Sequence, residues 1–200
     1  MSFRSSLLAA VILCAAFAFL CGCASTTPSS SAAPGGAATQ QVAPGGKAPA
    51  FTLQVDGLAP GAALPASYTC TGPGGSPAIS WTNVPEAAKS LVLVLDDPDA
   101  PRGTFTHWIV YNIPPSATGI PPAVTPEREL PGGGTQGLNS RGTAGYTPPC
   151  PPAGSPHRYI FQLYAVDSLI DAPAANRDAI GEALKGHVVG EAQVVTIFGR

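Results

Sequence analysis

The stretch from Leu91 to Pro114, LVLVLDDPDAPRGTFTHWIVYNIP, constrains the chain more than any other. Leu91 to Leu95 carries no polar break, which suits a strand buried on both faces rather than a half-exposed one. Polarity then reverses within one residue, at Asp96 and Asp97. Pro98 and Pro101 bias Asp97 and Ala100 away from helical geometry, so the acids at the strand end lie in a stiff turn. In the strand that follows, His107, Ile109, Tyr111 and Ile113 are expected on one face, with Trp108, Val110 and Asn112 on the other. Paired across the acidic turn, the two strands bring a carboxylate and a histidine to one sheet edge.

The remaining chain reads as short strands separated by turn signals. Phe51 to Val55 alternates apolar and polar residues, Tyr68 to Thr71 is expected as a short strand, and Ala78 to Trp81 as another. From Pro114 to Pro156 prolines and glycines abound, with charges at Glu127, Arg128, Glu129 and Arg141. A stretch this long without regular structure is disordered or functional. Arg158 to Val166 is the next strand. Ile180, Ala183, Leu184, His187 and Val188 then follow helical spacing, with Asn176 as N-cap, Asp178 in the first turn and Gly190 as the stop. Ala192 to Phe198 closes the chain as a strand. Many short strands and one late helix point to a mainly β domain, an antiparallel β-sandwich with a peripheral helix.

The first 22 residues read as a targeting signal. Arg4 precedes an apolar run from Leu7 to Leu20, followed by Leu-Cys-Gly-Cys, so Cys23 is the expected lipidation site. Residues 23–49 contain Ser, Thr, Pro, Ala, Gly and Gln with a single charge, Lys47. Such a segment buries too little apolar surface to offset its ordering entropy and serves as a tether, with a random-coil end-to-end distance of roughly 28 Å. Residues 50–200 form the domain. Export leaves Cys70 and Cys150 free to form a disulfide or to remain two separate buried thiols. The net charge is −2 without a basic run, which argues against nucleic-acid binding and against a basic membrane-surface patch. The membrane contact expected is the lipid anchor, at the bacterial cell envelope, facing periplasm or exterior.

A second informative stretch is Gly145 to Tyr159, GYTPPCPPAGSPHRY. Four prolines crowd Cys150, and His157 and Tyr159 share a face at the start of a strand. With DPDAP at Asp97 to Pro101, His107-Trp108, SPAISW at Ser76 to Trp81 and GHVVGEAQV at Gly186 to Val194, the chain from Phe51 to Arg200 resembles the phosphatidylethanolamine-binding protein family, most of all its bacterial Raf-kinase-inhibitor-like branch. The resemblance implies a small anion-binding pocket at one end of the sandwich, lined by Asp97, His107, Pro152, His157 and Tyr159. Thr147 and Pro148 stand where family members commonly have glycines, and Thr71 replaces a common acid.

The residues support that chemistry on their own. A phosphate ester needs converging donors, which His107, His157 and the Tyr159 hydroxyl can supply, while Asp97 orients a histidine. Asp99 reads as a turn-stabilising side chain, Arg158 as pairing with Asp96 or Asp97, and His187 as part of the helix end. Trp81 and Trp108 read as core. The spacing of Asp97, Asp99, His107 and His157 fits no common metal motif, so no metal and no cofactor is expected. No Gly-x-Ser-x-Gly is present. The expected function is non-enzymatic binding of a small phosphorylated ligand or phospholipid head group. A protein inhibitor acting on a protein partner through the pocket rim is the alternative, and an Asp-His hydrolase a third class.

Overall fold

The computed structural model describes residues 49–173 and 175–200. The expected signal, Cys23 and all of the tether before Pro49 lie outside the described residues. In chain order the elements are β1 (Thr52–Val55), β2 (Ile79–Thr82), β3 (Ser90–Asp97), β4 (Phe105–Ile113), β5 (Gly119–Ile120), β6 (Thr135–Gln136), β7 (His157–Val166), α1 (Arg177–Leu184) and β8 (Val188–Phe198). They form two antiparallel sheets, ordered β1-β2-β5 and β6-β4-β3-β7-β8. Among the described residues the fold is therefore mainly β with a single α-helix, late in the chain.

Being the middle strand of the larger sheet explains the unbroken apolar run of β3. Leu91 to Leu95 are each at most 1 % exposed. Leu91, Leu93 and Leu95 join Trp108, Phe161 and Leu163 against Leu53, Val55, Ile79 and Trp81 of the smaller sheet. Val92 and Val94 face the other way and pack with Ile109, Tyr111, Ile180 and Leu184 beneath α1. Burying a Leu or Val side chain contributes about 1.5–3 kcal/mol, so these five residues stabilise the fold by on the order of 10 kcal/mol before entropy is charged.

The faces of β4 differ from simple alternation. Its pairing with β3 shifts register twice, between Leu91 and Leu93 and between Leu95 and Asp96. At the first shift β4 holds one extra residue, and Asn112 has a φ of 55°. Ile113 consequently faces the core between the sheets with Trp108 and Val110 rather than the side of Ile109 and Tyr111. At the second shift Leu95 pairs with Trp108 and Asp96 with Thr106, leaving His107 as the extra residue. A bulge of this kind re-aims a side chain. Here it turns His107 toward Phe105 and Tyr159, with ring centroids 4.7 Å and 5.4 Å away.

Three further expectations change. Tyr68 to Thr71 is not a strand: Ala66–Tyr68 is a 3₁₀ turn, and the Thr69 hydroxyl donates to the Ala66 carbonyl, a local bond that competes with strand pairing. The helix starts as read, with Asn176 Oδ1 accepting from the Ala179 amide at 3.0 Å, but ends at Leu184. Gly186, with a φ of 76°, reverses the chain, so Val188 and Gly190 belong to β8 and His187 bonds Asp167 at 2.8 Å. Residues 114–156 hold only β5 and β6, yet this stretch is anchored. Gln136 is fully buried, accepts from Trp108 Nε1 at 2.7 Å and donates to the carbonyls of Thr125 and Glu127.

Asn112 keeps its left-handed backbone because its side chain brackets Ile170, Oδ1 accepting the amide at 2.8 Å and Nδ2 donating to the carbonyl at 2.9 Å. Asn112→Ala should cost roughly 2–3 kcal/mol, the sum of two lost bonds and a strained φ. Asn112→Gly loses the same bonds without the strain and should cost less. Urea midpoints at constant m-value measure both, and equal costs would show that the backbone conformation contributes nothing.

Candidate functional site

Asp97 ends β3 where the sheet gives out, and at 4 % exposed it needs partners for both oxygens. The Asp99 amide donates to Oδ1 at 2.9 Å, an Asx-type turn across Pro98. His157 Nδ1 donates to Oδ2 at 2.8 Å. The antiparallel register with β7 makes that meeting possible: Asp96 pairs with Ile160, so the chain past Asp97 runs alongside the start of β7. Asp97 thus fixes the ring of His157 with Nδ1 protonated.

His107 is fixed from the other side. Its Nδ1 donates to the Thr147 carbonyl at 2.7 Å, and the Thr147 amide donates to the His107 carbonyl at 2.8 Å. Burial lowers the pKa of His107 from its ordinary 6.5, and the Arg141 charge adds to this, while the Thr147 carbonyl, Asp97 and Asp96 oppose it. Both histidines therefore keep Nε2 without a protein partner. Neither Nε2 is sealed from solvent, because the single buried polar side-chain atom without a partner among the described residues is the Tyr159 hydroxyl.

The two rings open onto a cavity of about 160 Å³ shared with Asp97, Pro152, Arg141 and a wall of Pro101, Phe105 and Pro148. Of the residues expected in the site, the structure brings Asp97, His107, Pro152 and His157 together there. Tyr159 does not line the cavity. It is fully buried edge-on to His107, and its hydroxyl pKa is pushed up by burial and by the charges of Asp97 and Asp99. Arg141 was not read as a site residue from sequence; it sits in a stretch with no periodicity to place it.

Prolines make up a third of the residues lining the cavity. Pro148, Pro151 and Pro152 have no N–H. The wall is held from outside by the disulfide between Cys70 and Cys150, whose Cα atoms lie 5.3 Å apart, and by the Cys70 amide donating to the Pro149 carbonyl at 3.0 Å. Gly74 is required behind it, for it has a φ of 73° and a Cβ there would come within 2.7 Å of Pro148. Arg158 lies outside the cavity and pairs with Asp99, not Asp96 or Asp97: its amide and Nε reach Oδ2 at 2.9 Å and Nη2 reaches Oδ1 at 2.7 Å. The turn carboxylate thus faces the outer side of β7, where Arg158 projects. The Arg158 guanidinium holds the Asp99 carboxyl well below the usual carboxylate range. Asp96 is taken by Arg177 at 2.9 Å. Among the described residues no three His, Cys, Asp or Glu side chains converge as a metal site would require.

These observations define a class: a mainly β protein of two antiparallel sheets with a carboxylate-anchored imidazole and a second imidazole around a small open cavity at the strand ends. The family model described as phosphatidylethanolamine-binding protein matches residues 54–199, and the chain belongs to that family. It is 49 % identical over 138 residues to a UPF0098 protein of Methanothermobacter thermautotrophicus, covering 68 % of this chain and 91 % of that one. Its fold matches the crystal structure of a phosphatidylethanolamine-binding protein homologue from Chlamydia trachomatis with a TM-score of 0.69 and 35 % identity, covering 76 % of this chain and 98 % of that chain. It also matches YbcL of Escherichia coli, with a TM-score of 0.68 and 31 % identity over 75 % of this chain and 98 % of that one.

A depressed pKa at His107 has a definite sign in stability. The unfolded chain takes up a proton near pH 6.5 that the folded ring resists, so this group leaves the fold unaffected above that pH and weakens it as pH falls below. The stability of wild type relative to His107→Gln should therefore drop between pH 7 and pH 5. Urea midpoints across that range give the answer, and a difference that is flat or rises toward acid would contradict it.

Proposed function

We propose that the cavity binds a small anionic group of the phosphate type and does not turn it over, in a domain held at the bacterial cell envelope by lipid on Cys23. The observation that carries this reading is the pair of imidazoles, each with Nδ1 fixed by a protein acceptor, leaving two Nε2 atoms open to one cavity with a guanidinium. Protonated, each Nε2 donates to an anion; neutral, each accepts from a protonated phosphate oxygen. The volume favours a head group or free phosphate, because about 300 Å³ is the lower bound for drug-sized ligands. The family name and the names of the structural relatives are consistent with a phosphorylated ligand.

The non-enzymatic reading rests on what lines the cavity. Cys150 is tied up in the disulfide, Thr147 supplies the only hydroxyl, and the Nδ1 atoms of both histidines are engaged elsewhere. Nucleophilic catalysis needs a nucleophile within reach of a base that is itself oriented, and neither imidazole is hydrogen-bonded to that hydroxyl. The envelope location rests on the sequence at Cys23, and the likeness to YbcL is consistent with the bacterial branch.

Isothermal titration of the purified protein with phosphate and with phosphoethanolamine tests the binding. Affinity should rise from pH 8 to pH 6 and fall at least tenfold in His157→Ala and in His107→Ala, with circular dichroism confirming the fold. An affinity that ignores pH and survives both substitutions ends the assignment. Sulfate, which stays a dianion over this range, separates protonation of the protein from protonation of the ligand.

For the anchor, Cys23→Ser should move the protein from the membrane pellet to the soluble fraction. Retention of that variant in the pellet after a carbonate wash would exclude a lipid at this position.

A further inference from the structure

We propose that Arg141 is the specificity-determining cation of this pocket, and that it selects a dianionic terminal phosphoryl group, as in a phosphomonoester or free phosphate, over the monoanionic phosphodiester of an intact phospholipid. This rests on the anion-binding reading above and names the ligand class within it.

The loop that presents Arg141 is wound around one buried amide. Asn139 is 4 % exposed. Its Oδ1 accepts from the Arg141 amide at 2.9 Å and from the Thr143 hydroxyl at 3.2 Å, its Nδ2 donates to the Gly145 carbonyl at 3.0 Å, and its backbone exchanges bonds with Gly142 and Thr143. A loop fixed at five points holds the base of the arginine side chain at the cavity mouth, which reduces the ordering cost of binding there. Among the described residues the Arg141 guanidinium has no carboxylate partner and makes no hydrogen bond, and Arg141 is one of the residues that line the cavity. Its charge is felt across that cavity as one of the influences on His107.

The charges around the pocket then decide its sign. Among the described residues, Asp97 and Arg141 are the acid and the base that line it beside the two histidines. From β3, Asp96 faces His107 but is paired with Arg177. From the turn, Asp99 faces His157 but is paired with Arg158. From β7, Tyr159 packs against His107 with its hydroxyl pKa raised, so it stays neutral. With neutral imidazoles the wall carries one negative and one positive charge, and removing Arg141 leaves a net negative wall that disfavours a dianion far more than a monoanion.

The choice between esters follows from oxygen count and charge. A monoester presents three terminal oxygens, enough for a two-pronged contact with guanidinium and one with an imidazole, and its two charges double the attraction to one fixed cation. A diester presents two terminal oxygens and one charge, and both of its substituents must leave a cavity of about 160 Å³ walled by prolines.

The test compares phenyl phosphate with dimethyl phosphate by titration at pH 7.5, using the full-length chain in detergent. Wild type should bind phenyl phosphate at least tenfold more tightly. Arg141→Met should lose at least tenfold for phenyl phosphate and change dimethyl phosphate less than threefold, with Arg141→Lys recovering part of the loss. At pH 5.5 the deficit of Arg141→Met for sulfate should shrink to less than threefold, because an imidazole that takes up a proton together with the anion supplies the missing charge. Wild-type affinity for phenyl phosphate in both Arg141→Met and Arg141→Gln, or a wild-type preference for the diester, overturns the role of Arg141 while leaving anion binding intact. No binding of phenyl phosphate or sulfate by wild type at either pH overturns the anion-binding reading and this inference with it.

Discussion

The structure depends on Asp97 being buried at the end of a strand whose run from Leu91 to Leu95 holds no polar residue. A carboxylate taken out of water costs several kcal/mol unless its oxygens are bonded, so its neighbours are not free to vary. One bond comes from its own turn, through the Asp99 amide, and the other from the next strand, through His157. The second uses a property of a middle strand: its ends lie beside the ends of two others. The cavity therefore forms at the sheet edge, where the apolar packing of β3 stops and the chain must supply polar partners. The site is in this sense a product of terminating the core.

Much of the fold was readable because the strongest signals have one meaning. Five consecutive apolar residues flanked by turn-formers fit a central strand, and Asn176 with Asp178 marks a helix start. What failed to show were departures from period two. Alternation assigns Ile113 and His107 to the face of Ile109, and one extra residue at each of two places in β4 reverses both. No residue type announces such a bulge; Asn112 tolerates positive φ, but asparagine is common in strands' neighbours and turns as well. Spacing alone makes the helix too long, because Val188 continues the apolar period past Gly186 and no spacing registers that glycine's φ of 76°. Arg158 was given the wrong acid because Asp99 reaches the outer side of β7 only once the turn is closed by its own amide.

The candidate site was legible in proportion to how tightly its residues are bound to regular elements. Asp97 and His157 sit at strand ends, where the pattern locates them. Pairing of two strands across the acidic turn is enough to bring His107 to the sheet edge of the carboxylate, while the direction of its ring comes from the bulge, which alternation does not show. Tyr159 follows His157 at the right spacing to share its face, yet two residues further along a strand of this sheet is already inside the core, so it supports the ring of His107 instead of lining the cavity. Arg141 was missed because it depends on a loop built from side-chain bonds to Asn139, and such a loop has no hydrophobic period. The short run Asn-Ser-Arg-Gly-Thr, an asparagine able to close a turn ahead of a lone cation, was the only trace.

The materials of the wall say what kind of binding such a cavity supports. Many anion sites use backbone amides at a helix N-terminus or in a nest, whose partial charges do not depend on pH. Here no residue of the helix lines the cavity, four of the lining residues are prolines without an N–H, and the Thr147 amide is already committed to the His107 carbonyl. Recognition then falls to side chains: two imidazoles, which can gain a proton, and one guanidinium, whose charge is permanent. Proton uptake and ligand uptake become linked, because an imidazole held neutral by burial regains its proton most easily when an anion arrives to share it. A rigid wall with mobile charge is suited to reversible, condition-dependent occupancy, and the disulfide and reciprocal His107–Thr147 bonds supply the rigidity that keeps two rings aimed at one point.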